Sequence, residues 1–116
     1  MDDSSGDLIT LHMPVDIWAG IDGEVDNVVS MAVVDGDEHV VRVGQAIREA
    51  GWEQVPWVDG QWPPMDQVLP ICLSRGQWEL AGEWTRQSLP VYEELQDEES
   101  AQGCRDALAV IEASIS

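Results

Sequence analysis

The feature that most constrains the fold of this chain is a similarity between its two halves at a spacing of 60 residues. Residues 8–13 fall on residues 68–73, and Trp18 falls on Trp78. Two acidic turns also recur at matching places, one with Asp35, Asp37 and Glu38 and the other with Asp97, Glu98 and Glu99. Similarity at a fixed period is typical of internal repeats. The sequence therefore predicts a tandem duplication, with repeat 1 at residues 8–51, a Trp/Pro loop at residues 52–67 and repeat 2 at residues 68–116.

Each predicted repeat begins with a strand and continues as a helix. Residues 8–13 place alternate apolar side chains on one face, as a half-buried strand does. After Pro14, apolar residues recur at three- and four-residue spacing, as on one face of a helix; they are Ile17, Trp18, Ile21, Val25, Val28, Val29 and Ala32. In the second half Ser74 is a good N-cap for the matching helix. Pro90 lies inside that helix and is expected to kink or split it near Ser88.

Residues 28–43 allow two interpretations. Their β-branched content around Asp35-Gly36 fits a hairpin. Alternatively, Val40, Val43, Ile47 and Ala50 form the face of a second helix that ends at Gly51. With one residue inserted, those four positions match Ala101, Cys104, Leu108 and Ile111, in a segment that is plainly helical from residue 100 to residue 114. The comparison favours a helix in both halves.

The predicted fold class is α+β, with a duplicated β-α-α unit whose two strands pair and are covered by four helices. Residues 1–7 are predicted to be a disordered acidic N-terminus, and residues 8–116 a single domain. Because a two-stranded sheet is marginal alone, residues 55–58 are a candidate third strand or brace. The start of the chain does not resemble a signal peptide, and no segment has the apolar length of a membrane span. We therefore expect a cytoplasmic protein with free thiols.

Acidity is the main indication of function. The net charge is -18, from 23 acidic residues against five Arg, and Lys is absent. Such a surface repels nucleic acids and anionic membranes and attracts basic proteins. We expect an acidic inhibitor, meaning an immunity protein, antitoxin or DNA mimic, that blocks a basic toxin, nuclease or DNA-binding protein. The predicted partner-binding residues are Asp35, Asp37, Glu38, Asp97, Glu98, Glu99, Trp57 and Trp62, the two Trp because exposed Trp is a common interface anchor.

Two other functions are alternatives to this one. The alternative is a structural or oligomerisation module, a homodimer that associates through its Trp-rich loop. An enzyme built on a Cys72–His12 dyad would lack an evident orienting acid and oxyanion loop. The sequence contains no phosphate-binding loop, zinc spacing or nucleophile elbow, and neither acidic turn has the calcium-loop spacing. We therefore predict neither catalysis nor a cofactor or metal.

Overall fold

The computed structural model describes residues 7–56, 59–61 and 63–115. Its elements run in the order β1 (Leu8–Pro14), α1 (Val15–Asp35), α2 (Glu38–Trp52), β2 (Val68–Ser74), α3 (Arg75–Glu94) and α4 (Glu98–Ile115). The fold is α+β, with a two-stranded antiparallel sheet and four helices. This confirms the predicted α+β class, with two paired strands and four helices. Residues 28–43 belong to two helices, so the hairpin interpretation is wrong.

The two strands pair with Leu11 opposite Ile71 at the centre of the ladder. One face of the sheet is covered by the helices; its buried residues are Leu11, Met13, Leu69, Ile71 and Leu73. The other face is open and carries Thr10, His12 and Val68. Because side chains alternate between faces, a shift of one residue would move the whole apolar set into solvent. The buried face therefore fixes the register.

The core is centred on Trp18 and Trp78, which lie in the first turns of α1 and α3. Both side chains are buried, and their rings meet edge to face with centroids 6.4 Å apart. The indole N–H of Trp78 donates to the carbonyl of Ile9 at 2.8 Å. The indole nitrogen of Trp18 is equally buried but has no hydrogen-bond partner within the described residues. The two Trp therefore match in packing and differ in hydrogen bonding.

The predicted helix faces meet this core. The α1 positions that are buried as expected are Trp18, Ile21, Val25, Val29 and Ala32. On α4 the four predicted positions, Ala101, Cys104, Leu108 and Ile111, are all buried. On α2 only Ile47 of the predicted four is fully buried. The spacing of apolar residues thus identified the inner faces of the helices.

The end of α2 lies directly on Trp18. A Cβ atom placed on Gly51 would overlap ring carbons Cζ2 and Cη2 of Trp18. Trp52 packs against the same indole, edge to face, with ring centroids 6.0 Å apart. The glycine is therefore required by close approach and not by backbone conformation. The sequence predicts that this helix ends at Gly51, and in the structure it ends one residue later, at Trp52.

The segment after α2 closes the outer edge of β2. The side-chain amide of Gln54 donates to the carbonyl of Cys72 and accepts from its N–H, both at 2.7 Å. Val55 follows and is buried in the core. One side-chain amide thus makes the two hydrogen bonds that a third strand would otherwise make at this residue. Within its described part, the predicted strand or brace at residues 55–58 acts as a brace.

Helix α3 runs through Pro90 to Glu94 without a break. The predicted split near Ser88 is therefore wrong. Pro90 is exposed and lies in the last turns of the helix. Only the carbonyl four residues before it loses its helical donor there, and a solvent-facing carbonyl can bond to water.

The turns that follow α1 and α3 share one backbone conformation. Gly36 and Gln96 are left-handed, with φ values of 77° and 60°. The next residue bonds back in the same way, Asp37 N–H to the Ala32 carbonyl and Asp97 N–H to the Tyr92 carbonyl, both at 2.9 Å. This is the hydrogen bond of a Schellman helix end.

Substitution of Gln96 by glycine is expected to raise the free energy of unfolding by about 0.5–1 kcal/mol. A Cβ atom disfavours the left-handed conformation, and glycine adopts it without that cost. Urea unfolding of Gln96→Gly measures the gain. The reverse change, Gly36→Gln, should lower stability, and a stabilised Gly36→Gln would contradict this account of the turn.

Candidate functional site

The two predicted acidic turns lie at the α1–α2 and α3–α4 connections. The carboxylate of Asp37 accepts the N–H of Val40 at 3.2 Å, and that of Asp97 accepts the N–H of Ser100 at 3.2 Å. Both aspartates therefore cap the helices that follow. They remain exposed, so they still contribute negative charge to the surface.

The other four acids of the turns differ in pairing. Glu98 forms an ion pair with Arg105 at 3.2 Å. Asp35, Glu38 and Glu99 are exposed and make no ion pair within the described part of the chain. The first turn thus contains no ion-paired acid, and two of its residues, Asp37 and Glu38, line a concavity of the surface.

That concavity, which we call the α1–α2 groove, has a volume of about 590 Å³. Its apolar floor consists of Ala32, Val33, Val41 and Ala46. Its rim carries Asp37, Glu38, Glu49 and Arg42. Within the described residues Arg42 is the only Arg without an ion pair. The groove therefore combines apolar side chains with three acids and one Arg, none of which forms an ion pair among the residues that the structure describes.

Exposed apolar side chains extend the floor of the groove along the end of α1. Val34 is 86% exposed, Met31 62% and Val33 61%. On a chain of net charge -18, three adjacent exposed apolar residues are unusual for a surface that only keeps a protein in solution. Binding of another molecule at this surface would remove these apolar side chains from water.

The corresponding place between α3 and α4 is arranged differently. There a smaller concavity of about 340 Å³ is lined by Tyr92, Glu93, Gln96 and Glu98. Arg105 of α4 donates to Glu93 of α3 at 2.9 Å and to Glu98 at 3.2 Å. Helices α2 and α4 begin 60 residues apart, and the buried α2 residues Gly44, Ile47 and Gly51 fall at that spacing on the buried Cys104, Ala107 and Ile111, so the helices align without the inserted residue of the sequence comparison. At this spacing the chain has Val33 in place of Glu93 and Gln45 in place of Arg105. Arg105 therefore bridges the second concavity, whereas no such bridge crosses the α1–α2 groove within the described residues.

The remaining sequence predictions concern the Trp-rich loop, the Cys72–His12 pair and metal binding. Trp57 and Trp62 lie outside the described residues. Cys72 pairs with Thr10 and His12 with Pro70, so Cys72 and His12 are diagonal neighbours on the open face of the sheet. Within the described residues, no group of three or more potential ligands could hold a metal ion.

A buried polar contact joins α1 to the end of α3. The hydroxyl of Tyr92 donates to Glu24 Oε2 at 2.8 Å. This hydrogen bond, together with burial, raises the pKa of Tyr92 to about 12. Burial first, and then the charge of Glu24, raises the pKa of the Cys104 thiol to about 11. Cys104 is therefore protonated at neutral pH and is not an activated nucleophile.

Alkaline pH is expected to destabilise the protein between pH 9 and pH 12. Folding raises the pKa of Cys104 from its ordinary value of 9.0 to about 11, and the pKa of Tyr92 from 10.0 to about 12. The unfolded chain loses these protons first, so the stabilisation is complete below pH 9 and is lost as pH rises through the folded values. Urea midpoints measured across this range should fall continuously, and most steeply between about pH 10 and pH 11, where both groups contribute. Cys104→Ala should delay the start of the fall to about pH 10, and a flat profile would contradict the assignment.

Sequence reasoning missed the groove and the Glu24–Tyr92 contact. The groove had a local signal, because residues 31–34 are all apolar and no helix can turn four consecutive side chains toward one core. The Glu24–Tyr92 bond joins residues 68 positions apart and had no such signal.

Comparison with known proteins adds no identification to this geometry. Within the described residues, no helix has both the length and the apolar character needed to span a membrane. No protein-family model, curated protein or solved structure matches this chain.

Proposed function

We propose that this chain is a non-catalytic acidic inhibitor that binds a basic protein partner through the α1–α2 groove. The partner class is that of toxins, nucleases and DNA-binding proteins, which makes the chain an immunity protein, an antitoxin or a nucleic-acid mimic. The single observation that carries the proposal is the open groove, with its apolar floor and a rim on which three acids outnumber one Arg.

The distribution of ion pairs supports this choice of surface. Four of the five Arg are paired with acids elsewhere: Arg48 with Asp22 and Asp26, Arg75 with Glu79, Arg86 with Glu83 and Glu112, and Arg105 with Glu93 and Glu98. The groove rim keeps Asp37, Glu38 and Glu49 against the single Arg42. A basic partner would meet complementary charge here, and apolar contact with Val33 and Val41 would add affinity.

A second copy of the chain is a poorer occupant of the groove. Each copy carries a net charge of -18, so two copies repel each other. The oligomerisation alternative therefore needs an interface strong enough to overcome that repulsion. Light scattering over a range of protein and salt concentrations distinguishes the two proposals, because the inhibitor is expected to remain a monomer.

The decisive variant copies the bridged arrangement of the second half into the groove. Val33→Glu combined with Gln45→Arg places an acid and a cation where the α3–α4 concavity has Glu93 and Arg105. The two substitutions cancel in charge, so the net charge stays at -18. Immobilised wild-type chain should capture a basic protein from extracts of the source cell, and the double variant should lose it.

The matched control opens the other concavity. Glu93→Val with Arg105→Gln also leaves the net charge unchanged and should keep the partner bound. Affinity of the wild type should fall steeply as salt is raised above about 0.15 M, because screening shortens the reach of surface charge. Equal capture by the Val33→Glu, Gln45→Arg variant, or an affinity that does not respond to salt, would refute the proposal.

We further propose that the two halves arose by tandem duplication of a β-α-α unit. Three element starts are 60 residues apart: Leu8 and Val68, Val15 and Arg75, Glu38 and Glu98. The strands pair about Leu11 and Ile71, which are themselves 60 residues apart, as a twofold axis between equivalent strands requires.

Exchange of the two turn segments tests this equivalence. A chain with residues 35–38 and 95–98 interchanged should fold with a Tm close to that of the wild type, because both turns have a left-handed residue at the same position. Loss of cooperative unfolding in that chain would argue against equivalent halves.

A further inference from the structure

The α1–α2 groove continues along one whole face of α2. A further concavity of about 380 Å³ has Gln45, Glu49 and Trp52 in its lining, and the first two also line the groove, so the two concavities adjoin. Lining residues recur along α2 at three- and four-residue spacing, as on one face of a helix: Glu38, Val41, Gln45, Glu49 and Trp52. We call this surface, with the end of α1 beside it, the α2 face. At about 1.5 Å per residue it is about 21 Å long, which is four turns of a helix.

The α2 face presents side chains and little free backbone. Past its first turn, α2 bonds its backbone N–H groups to its own carbonyls. At the end of α1 the Ala32 carbonyl accepts from Asp37 N–H and the Val33 carbonyl from Gly36 N–H. An extended segment buried here would leave its own backbone groups unpaired, whereas a helix pairs them internally. The surface therefore favours a helical occupant.

The acids of the α2 face stand in line along the helix. Glu49 follows Glu38 by 11 residues, close to three full turns, so the two carboxylates lie on the same side of α2, about 16 Å apart along its axis. Neither forms an ion pair within the described residues. Arg48 is already paired with two aspartates of α1, which leaves Arg42 as the opposing charge. An occupant with basic side chains about three turns apart would meet both acids.

We propose that the segment of the partner that binds the α1–α2 groove is an amphipathic helix laid along the α2 face. Its apolar side packs on Val33, Val41 and Ala46, and Lys or Arg side chains beside that stripe meet Glu38 and Glu49. This inference rests on the function proposed above and names the part of the partner that binds. A second copy of the chain does not supply such a helix, because none of its four helices carries a net positive charge.

A synthetic helix tests the proposal on the full chain. The probe is an acetylated and amidated peptide as long as α2, which has 15 residues, with Leu at helical spacing, Lys on both sides of the Leu stripe and Ala elsewhere. The control peptide has the same composition rearranged so that Leu and Lys alternate, as in an amphipathic strand. Calorimetric titration should show one-to-one binding of the probe and binding of the control about tenfold weaker or more, because an extended peptide buries unpaired backbone groups. Circular dichroism should show a gain of helix, and NMR shifts should place the probe at the amides of Gln45 and Ala46.

Ala46→Glu separates apolar contact from simple attraction between opposite charges. Ala46 is exposed, so the variant should fold. The added carboxylate would strengthen a purely electrostatic complex with a basic peptide, but it lies where the apolar side of the helix packs. It should weaken probe binding about tenfold or more, because it places a charge against Leu side chains. Ala109→Glu adds the same charge at an exposed position of α4 and should not weaken binding.

Failure of this inference can be distinguished from failure of the proposed function. The wild type may capture a basic protein that the Val33→Glu, Gln45→Arg variant loses, while the alternating peptide binds as tightly as the probe or Ala46→Glu binds the probe undiminished. In that case the groove is a binding site and the helical occupant is wrong. Absence of saturable probe binding would also overturn the inference. A dimer of the free chain that Ala46→Glu dissociates would assign the α2 face to a second copy instead.

Discussion

Trp78→Ala is expected to lower the free energy of unfolding by about 3–5 kcal/mol, the range seen when a buried aromatic side chain is removed from a core. Trp78 is fully buried, packs edge to face on Trp18 and bonds to the Ile9 carbonyl. Domains of this size are stabilised by only about 5–15 kcal/mol in total, so the variant should be close to unfolding at room temperature. Urea unfolding followed by far-ultraviolet circular dichroism measures the loss.

A pair of milder variants separates the hydrogen bond of Trp78 from its packing. Trp78→Phe and Trp18→Phe remove similar apolar volume, but only Trp78 has a bonded indole N–H. Trp78→Phe should therefore be the more damaging of the two by about 0.5–1.5 kcal/mol, the usual net value of one hydrogen bond. A larger loss for Trp18→Phe would mean that the N–H of Trp18 is satisfied in solution.

Gly51→Ala is expected to lower the free energy of unfolding by about 1–3 kcal/mol, as overpacking of a core does. The added methyl group would overlap the ring of Trp18, which is held between Gly51, Trp52 and Trp78 and has little room to move. Thermal unfolding of the purified variant provides the measurement.

Gly23→Ala is the matched control for that substitution. Gly23 is also helical, but no atom lies within 4 Å of its Cβ position. Alanine is the better helix former by about 1 kcal/mol, so this variant should be more stable than the wild type. If both substitutions stabilised the protein, the close contact between α2 and Trp18 would be wrong.

Local pattern was enough to predict the secondary structure and much of the core. The stripe on α1 was visible because Trp18, Ile21, Val25 and Val29 recur at helical spacing, and the helix end was marked by Gly36. The second half settled the ambiguity of residues 28–43, because the pattern of α4 is more clearly helical than that of α2. Pro90 misled the prediction because α3 continues through it to Glu94, although the proline ring removes one helical hydrogen bond.

The candidate sites could not be predicted in the same way. The α1–α2 groove is open because Val33 and Gln45 cannot form an ion pair across it. That difference is visible only by comparison with the Arg105 ion pairs of the other half. The hydrogen bond between Glu24 and Tyr92 forms only when the tertiary fold brings α1 to the end of α3. The side-chain amide of Gln54 makes the hydrogen bonds that the backbone of a neighbouring strand would make, and the residue type alone does not indicate this role.

The amide of Gln54 has a consequence for the behaviour of the protein in concentrated solution. An unpaired strand edge is a template for sheet growth between molecules. The Gln54 side chain occupies the edge N–H and carbonyl of Cys72, so a strand of another molecule cannot pair with β2 at this residue. Mutual repulsion of the acidic surfaces also keeps molecules apart, but added salt weakens it. The Gln54–Cys72 hydrogen bonds do not depend on ionic strength. They therefore continue to oppose fibre formation when salt has screened the electrostatic repulsion.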